Sequence, residues 1–154
     1  MTPPLIYLDA NVFVAAFETP NEGANPVQRL FRALVERRPR AISSELTLAE
    51  LLAPIRRPHA LSGPERKSLY YNLFVRQDVV ELKPVSRDIL IKTATLRGEI
   101  NYKLPDAIHV ATAIEASCAS FASNDERLKQ FPAGLRKIRA DERGVDELLR
   151  ALSP

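Results

Sequence analysis

At 154 residues, 45% hydrophobic and 27% charged, the chain has room for one compact domain with a sizeable core, not for two. The absence of tryptophan and a count of 5 glycines argue against a turn-rich all-β fold and a glycine-rich phosphate loop, and 2 histidines with 1 cysteine exclude a structural zinc site. Lys and Arg number 22 against 19 Asp and Glu; the net charge of +3 is compatible with a polyanionic partner without requiring one.

Leu5-Ile6-Tyr7-Leu8 is a short apolar run suited to a buried strand. Asp9 ends it, and a helix begins over residues 12–17. The apolar stretch 5–17 has no basic leader and is broken by Asp9 and Asn11, which excludes a signal peptide and a membrane span. Asn25 is placed to cap the next helix, with Pro26 at its first position. Val27, Leu30, Phe31, Leu34 and Val35 keep helical spacing until Arg37-Arg38-Pro39 closes it. Ala41-Ile42-Ser43 is a second strand. A helix over 44–57 follows, with an apolar stripe of Leu48, Leu51, Leu52 and Ile55, a bend at Pro54 and an end at Pro58.

Residues 62–75 are predicted to be helical with Ser62 as cap, residues 79–82 a strand, and residues 86–98 a helix stopped by Gly98. Residues 105–117 are alanine-rich and nearly all apolar, which predicts a helix buried on most sides. Cys118 has no partner for a disulfide and is expected to be a buried, reduced thiol of a cytosolic protein. Residues 119–122 form a short strand, and Asn124 or Asp125 caps a helix after it. Residues 136–139 suit an edge strand, and residues 145–152 a closing helix. Short apolar strands alternating with helices predict an α/β fold, a parallel sheet between two helical layers. Residues 1–154 are expected to form one domain.

Ligands of such a sheet bind beyond the carboxyl ends of the strands, near the point where strand order reverses. Asp9 ends the first strand, Asp125 follows a later one, Asp106 opens the buried helix, and Glu50 lies early in the helix after the second strand. Four carboxylates meeting there would repel one another, and some would take up protons. A hard cation with oxygen ligands removes that conflict, which points to magnesium or manganese. Each acid also has a local explanation. Asp9 would end a strand in a turn, and Glu50 has capping-box spacing from Thr47. Asp106 would answer the helix dipole, and Asp125 would be an N-cap. Composition and spacing leave both readings open.

The segments Leu8-Asp9-Ala10-Asn11-Val12-Phe13, Ser44-Glu45-Leu46-Thr47-Leu48-Ala49-Glu50-Leu51-Leu52, Leu104-Pro105-Asp106-Ala107-Ile108-His109-Val110-Ala111-Thr112-Ala113 and Ser123-Asn124-Asp125 resemble the successive motifs of the PIN-domain family. They occur in the family's order, and the resemblance runs from about residue 6 to residue 131. The compact length is similar to the toxin branch, the VapC-type ribonucleases of toxin–antitoxin pairs.

The resemblance implies a PIN-like three-layer α/β/α sandwich that hydrolyses RNA phosphodiester bonds. Asp9, Glu50, Asp106 and Asp125 would be its catalytic, metal-binding acids, and Mg2+ or Mn2+ its cofactor. Asn11 and Asn124 would orient ligands or bound water. A homodimer and a small antitoxin covering the acidic site are the implied partners. The family often carries a hydroxyl residue after the first Asp, where this chain has Ala10.

Glu45 and Glu50 point about 140° apart on one helix, so both cannot face one metal, and the choice of Glu50 comes from the family motif. Lys103 and Arg127 are candidates for phosphate contacts. A solvated helix face is expected to explain most of the basic pairs, Arg37-Arg38, Arg56-Arg57, Arg66-Lys67 and Arg136-Lys137. His109 shares a helix face with Asp106 but is taken as a partly buried helix residue outside the catalytic set, and His59 carries no signal. Two rivals remain. One is a catalytically weak PIN-fold module that binds RNA or protein. The other is a haloacid-dehalogenase-like phosphatase, whose Asp-x-Asp pair is broken here by Asn11.

Overall fold

In the computed structural model, which describes residues 4–19, 25–37, 41–54 and 61–153, the strands form one parallel sheet. The strands are β1 (Ile6–Leu8), β2 (Ala41–Ser44), β3 (Val80–Lys83), β4 (Ser120–Ala122) and β5 (Arg136–Ile138), in the spatial order β3-β2-β1-β4-β5. Central β1 sets Ile6 against both Ala41 and Ser120.

Alternation along each strand decides which core its side chains join. Ile6, Leu8, Ala41, Val80, Ala122 and Ile138 face one core. The helices α1 (Ala10–Phe17), α2 (Pro26–Arg37), α3 (Leu46–Leu52), α4 (Gly63–Tyr71) and α7 (Glu142–Ala151) complete it. Tyr7, Ile42 and Phe121 face the other way, against α5 (Arg87–Glu99) and α6 (Leu104–Glu115). This is the expected three-layer sandwich. No helix among the described residues is long and apolar enough to cross a membrane.

Three helix starts follow the capping chemistry expected from the sequence. Asn25 Oδ1 accepts the Val27 N–H at 3.0 Å, and Ser86 Oγ accepts that of Ile89 at 3.2 Å. Ser62 and Glu65 exchange bonds in a capping box at 3.3 and 2.8 Å. Residues 107–113 of α6 are all buried, as its composition predicts. Cys118 is buried and free, and burial pushes its thiol up to about 12.

Several local expectations are overturned. Pro54 does not bend a continuing helix: α3 ends at Leu52, and Ala53 is extended (ψ 140°), as a residue before proline prefers. Thr47 and Glu50 form no capping box, because Thr47 is buried and bonds Ser43 at 2.8 Å. The apolar stripe of α3 is also rotated from its expected place, with Thr47 and Leu51 buried and Leu52 41% exposed. Gly98 is not a stop; α5 runs on to Glu99.

The predicted 62–75 helix is α4 continued as a π-helical turn, Asn72–Arg76. No helix follows β4 before β5; residues 126–127 make a turn instead. Arg66 is not solvated but 2% exposed, bonded to Glu18 at 3.0 Å, with Tyr70 donating to the same carboxylate at 2.6 Å. Arg38-Pro39, Ile55, Arg56-Arg57, Pro58 and His59 lie outside the described residues.

Gly144 marks a close approach: a Cβ there would lie 1.7 Å from the Arg139 carbonyl oxygen. Gly144→Ala is therefore expected to cost about 1–3 kcal/mol, the scale of an overpacked site. Gly98, with open space around it in the last turn of α5, should gain about 0.4–1 kcal/mol on conversion to alanine. Urea unfolding of the two variants checks both signs.

Candidate active site

The chain leaves β1 toward β2 on one side and later returns as β4 on the other, so strand order reverses at the carboxyl ends of β1 and β4. Asp9 stands there as the N-cap of α1. Its Oδ1 accepts the Ala10 N–H at 2.8 Å. Its Oδ2 accepts Asn11 Nδ2–H at 3.1 Å and the Ser123 hydroxyl at 2.7 Å. Position 10 carries no hydroxyl, yet Asp9 receives one from Ser123, just past the neighbouring strand β4.

Ser123 is the hub that sequence reasoning did not single out. Besides donating to Asp9 it accepts Asn11 Nδ2–H and the Asp125 N–H, each at 3.1 Å. Asn11 Oδ1 accepts the Asn124 N–H at 2.9 Å, and Asn124 Oδ1 accepts the Ala140 N–H at 2.9 Å. The two asparagines thus act on different targets. Asn11 touches the Asp9 carboxylate, whereas Asn124 ties the loop after β4 to the chain beyond β5.

Glu50 arrives from β2 by a separate route. Ser43 donates to the Leu8 carbonyl at 2.7 Å and shares a bond with Thr47, which fixes α3 at the end of β1. Glu50, one turn beyond Thr47, bonds Nε2 of His109. Glu45, also exposed, lies at the start of α3 and makes no side-chain capping bond.

His109 was expected to be a partly buried helix residue; it is 1% exposed and lies inside the cluster. Its Nδ1 is 2.6 Å from the Tyr7 hydroxyl, and its Nε2 is 3.8 Å from Asp9 Oδ1. Burial disfavours the charged ring, but the Glu50 hydrogen bond and the charges of Asp9, Glu50 and Asp106 outweigh it and raise the pKa. The helix wheel put His109 beside Asp106 but gave no sign of Tyr7 or Glu50.

Asp106 lies in the first turn of α6, half-buried and without a hydrogen bond among the described residues. Burial, then the charges of Asp9 and Asp125, raise its pKa. Asp125 goes the other way. Arg127 grips it through Nε at 3.2 Å and Nη2 at 3.3 Å, and these bonds hold its carboxyl below the ordinary value. Its Oδ1 also accepts the Arg127 N–H at 3.0 Å, closing a turn in place of the expected helix cap. Lys103 and Arg127 line, with Tyr102, Asp106 and Lys129, a surface cavity of about 320 Å³.

The four acids therefore share one end of the sheet, close enough for Asp9 and Asp125 to raise Asp106, yet three of them are turned to protein partners. Among the described residues no three His, Cys, Asp or Glu side chains stand where they would already hold one ion. The donor set is oxygen-rich and self-repelling, the chemistry a hard cation relieves.

A sequence model of the family described as PIN domain matches residues 6–134. Solved structures share the fold at low identity. A toxin–antitoxin complex from Klebsiella pneumoniae has a TM-score of 0.60 and 19% identity, covering 84% of this chain and 94% of that one. VapBC2 from Rickettsia felis, bound to a DNA fragment from their promoter, gives 0.63 and 17% over 88% and 98%. DNA-bound VapBC from Salmonella typhimurium gives 0.63 and 18% over 90% and 99%. No curated protein matches the chain.

The raised pKa of Asp106 means that its ionised form costs the fold stability. Below the ordinary carboxylate range the group is protonated in folded and unfolded chains alike, and the cost is absent. It grows as pH rises through the unfolded value and is complete above the folded one. In chelator, the melting temperature of Asp106→Asn relative to wild type should therefore climb from acid to neutral pH. A difference that stays flat or falls would show that neither burial nor the neighbouring acids raise Asp106.

Proposed function

The chain belongs to the PIN domain family, and on that premise we propose that it is a metal-dependent endoribonuclease, the toxin of a toxin–antitoxin pair. The observation that carries the reading is the gathering of Asp9, Glu50, Asp106 and Asp125 at the reversal point of the sheet, with Asp106 raised by burial and then by its acidic neighbours. The residues fit a hard divalent cation, Mg2+ or Mn2+, because every acid of the set offers oxygen and their mutual repulsion needs a counter-charge. When bound, such an ion supplies Lewis acidity and charge neutralisation for hydrolysis of a phosphodiester by water.

The residues divide the remaining work. Asp106, free of hydrogen bonds among the described residues, would hold the ion together with Asp9, Glu50 and Asp125. Asn11 and Ser123 orient Asp9 through its Oδ2. Asn124 holds the loop that carries Asp125. Lys103 and Arg127, at the rim of the cavity beside Asp106, would take phosphates of the RNA and position it without reading its sequence.

The partners follow from the same reading. The similar solved structures are toxin–antitoxin complexes, and a small antitoxin covering the acids would silence this site as well. Exposed Leu52, Tyr71 and Val75 flank an apolar groove floored by Tyr70 and Phe74, which suits a second copy of the chain.

RNA cleavage by the pure protein should vanish in chelator and return with Mg2+ or Mn2+. Asp9→Asn, Asp106→Asn and Glu50→Gln should each slow it by about 100-fold or more, the scale for losing a group that stabilises transition-state charge. Glu45→Gln should leave it nearly unchanged. Undiminished cleavage in excess chelator would sink the mechanism, and RNA binding without cleavage under either metal would make the chain a binding module.

For association, light scattering at high concentration should give twice the chain mass. A strictly monomeric species would remove the dimer.

A further inference from the structure

Glu50 is held differently from the other acids. It sits on α3, seven residues long, and its side chain is 37% exposed. Among the described residues its one hydrogen-bond partner is His109. Asp9 is fixed by three bonds and Asp125 by a two-pronged arginine, whereas the direction of Glu50 depends on that single ring.

The ring itself is tightly fixed. Tyr7 stacks on Phe121 with ring centroids 4.9 Å apart and meets His109 edge-on at 5.8 Å. Its hydroxyl engages Nδ1 at 2.6 Å, so the imidazole can neither flip nor rotate without losing a buried hydrogen bond. Nε2 then has one orientation, toward Glu50 and 3.8 Å from Asp9. A carboxylate only accepts, so the proton of this bond belongs to the ring. Tyr7 satisfies only one of the two buried ring nitrogens, and the partner of the other is an acid of the site.

Building on the metal-dependent reading above, we propose that His109 is the positioning residue of the acidic site: anchored by Tyr7 through Nδ1, it aims Glu50 toward Asp9 and so sets the spacing of the acids that receive the cation. Outer partners that orient a ligand typically govern metal affinity by about 10–100-fold.

The test is a Mn2+ titration of the full chain without RNA, read by the free-ion electron paramagnetic resonance signal, on variants whose fold is checked by circular dichroism. His109→Ala should weaken binding by about 10-fold. His109→Gln, which keeps an N–H donor, should recover part of that loss, and Tyr7→Phe should lose part of it. Combined with Glu50→Gln, the alanine should cost nothing further, because its effect passes through Glu50. If the alanine variant does not fold, His109→Gln and Tyr7→Phe, each paired with Glu50→Gln, carry the same comparison.

Additive losses in the pairs, or unchanged or tighter binding without His109, would overturn the proposal while leaving the metal reading intact. A wild-type chain that takes up no Mn2+ would overturn the metal reading, and the role assigned to His109 with it.

Discussion

When β1 and β4 pair, Leu8 lies against Ala122, and the chain leaving each strand is delivered to the same edge of the sheet. The Asp9 N–H then extends the ladder to the Ala122 carbonyl at 3.0 Å. One step further, Ser123 closes on Asp9 from a position 114 residues away. Asp9 and the turn that carries Asp125 depend on that closure. Without it Asp9 loses a hydroxyl donor, Asp125 loses the acceptor for its own N–H, and the turn carrying Arg127 has no fixed start. The Tyr7–Phe121 stack on the opposite face belongs to the same register, so slipping one strand by one residue would turn its ring out of that core and break the stack.

Like charges brought together this way need separate solutions, and the molecule gives each acid its own. Asp9 takes neutral donors, Asp125 an arginine, and Glu50 a histidine. Asp106 takes none among the described residues and is the acid whose pKa rises. The cluster is thereby polarised, with Asp125 pulled down and Asp106 pushed up within one small region. Divergent environments around neighbouring carboxylates are a common mark of a working site.

Polar side chains also do structural work where a helix must be seated on the sheet edge. Ser43 and Thr47, both fully buried, join α3 to the Leu8 carbonyl and so bring Glu50 to the end of β1. On the far side of α3, Arg66 reaches Glu18 and the carbonyls of Ala53 and Leu61, bracing the ends of α1 and α3 against α4. Removing one partner of such a buried pair leaves an uncompensated charge, so this brace is a demanding feature of the fold.

Local patterns were enough for the strands, for several helix starts and for the layered α/β architecture, because these follow from signals within a few residues. Leu5-Ile6-Tyr7-Leu8 reads as a strand from its own composition, and Asn25, Ser62 and Ser86 cap helices through bonds two or three residues long. It also put Asp9 and Asp106 at element boundaries, where the structure has them. Contacts across long separations came from the folded molecule alone: Tyr7 with His109, His109 with Glu50, Ser123 with Asp9, Arg66 with Glu18. A helix wheel fixes angles around one axis but not which side meets the sheet, so it turned Leu52 inward and Thr47 outward, the reverse of what is seen. Burial and polar partnership belong to pairs of distant segments, and no local pattern in either segment encodes the other.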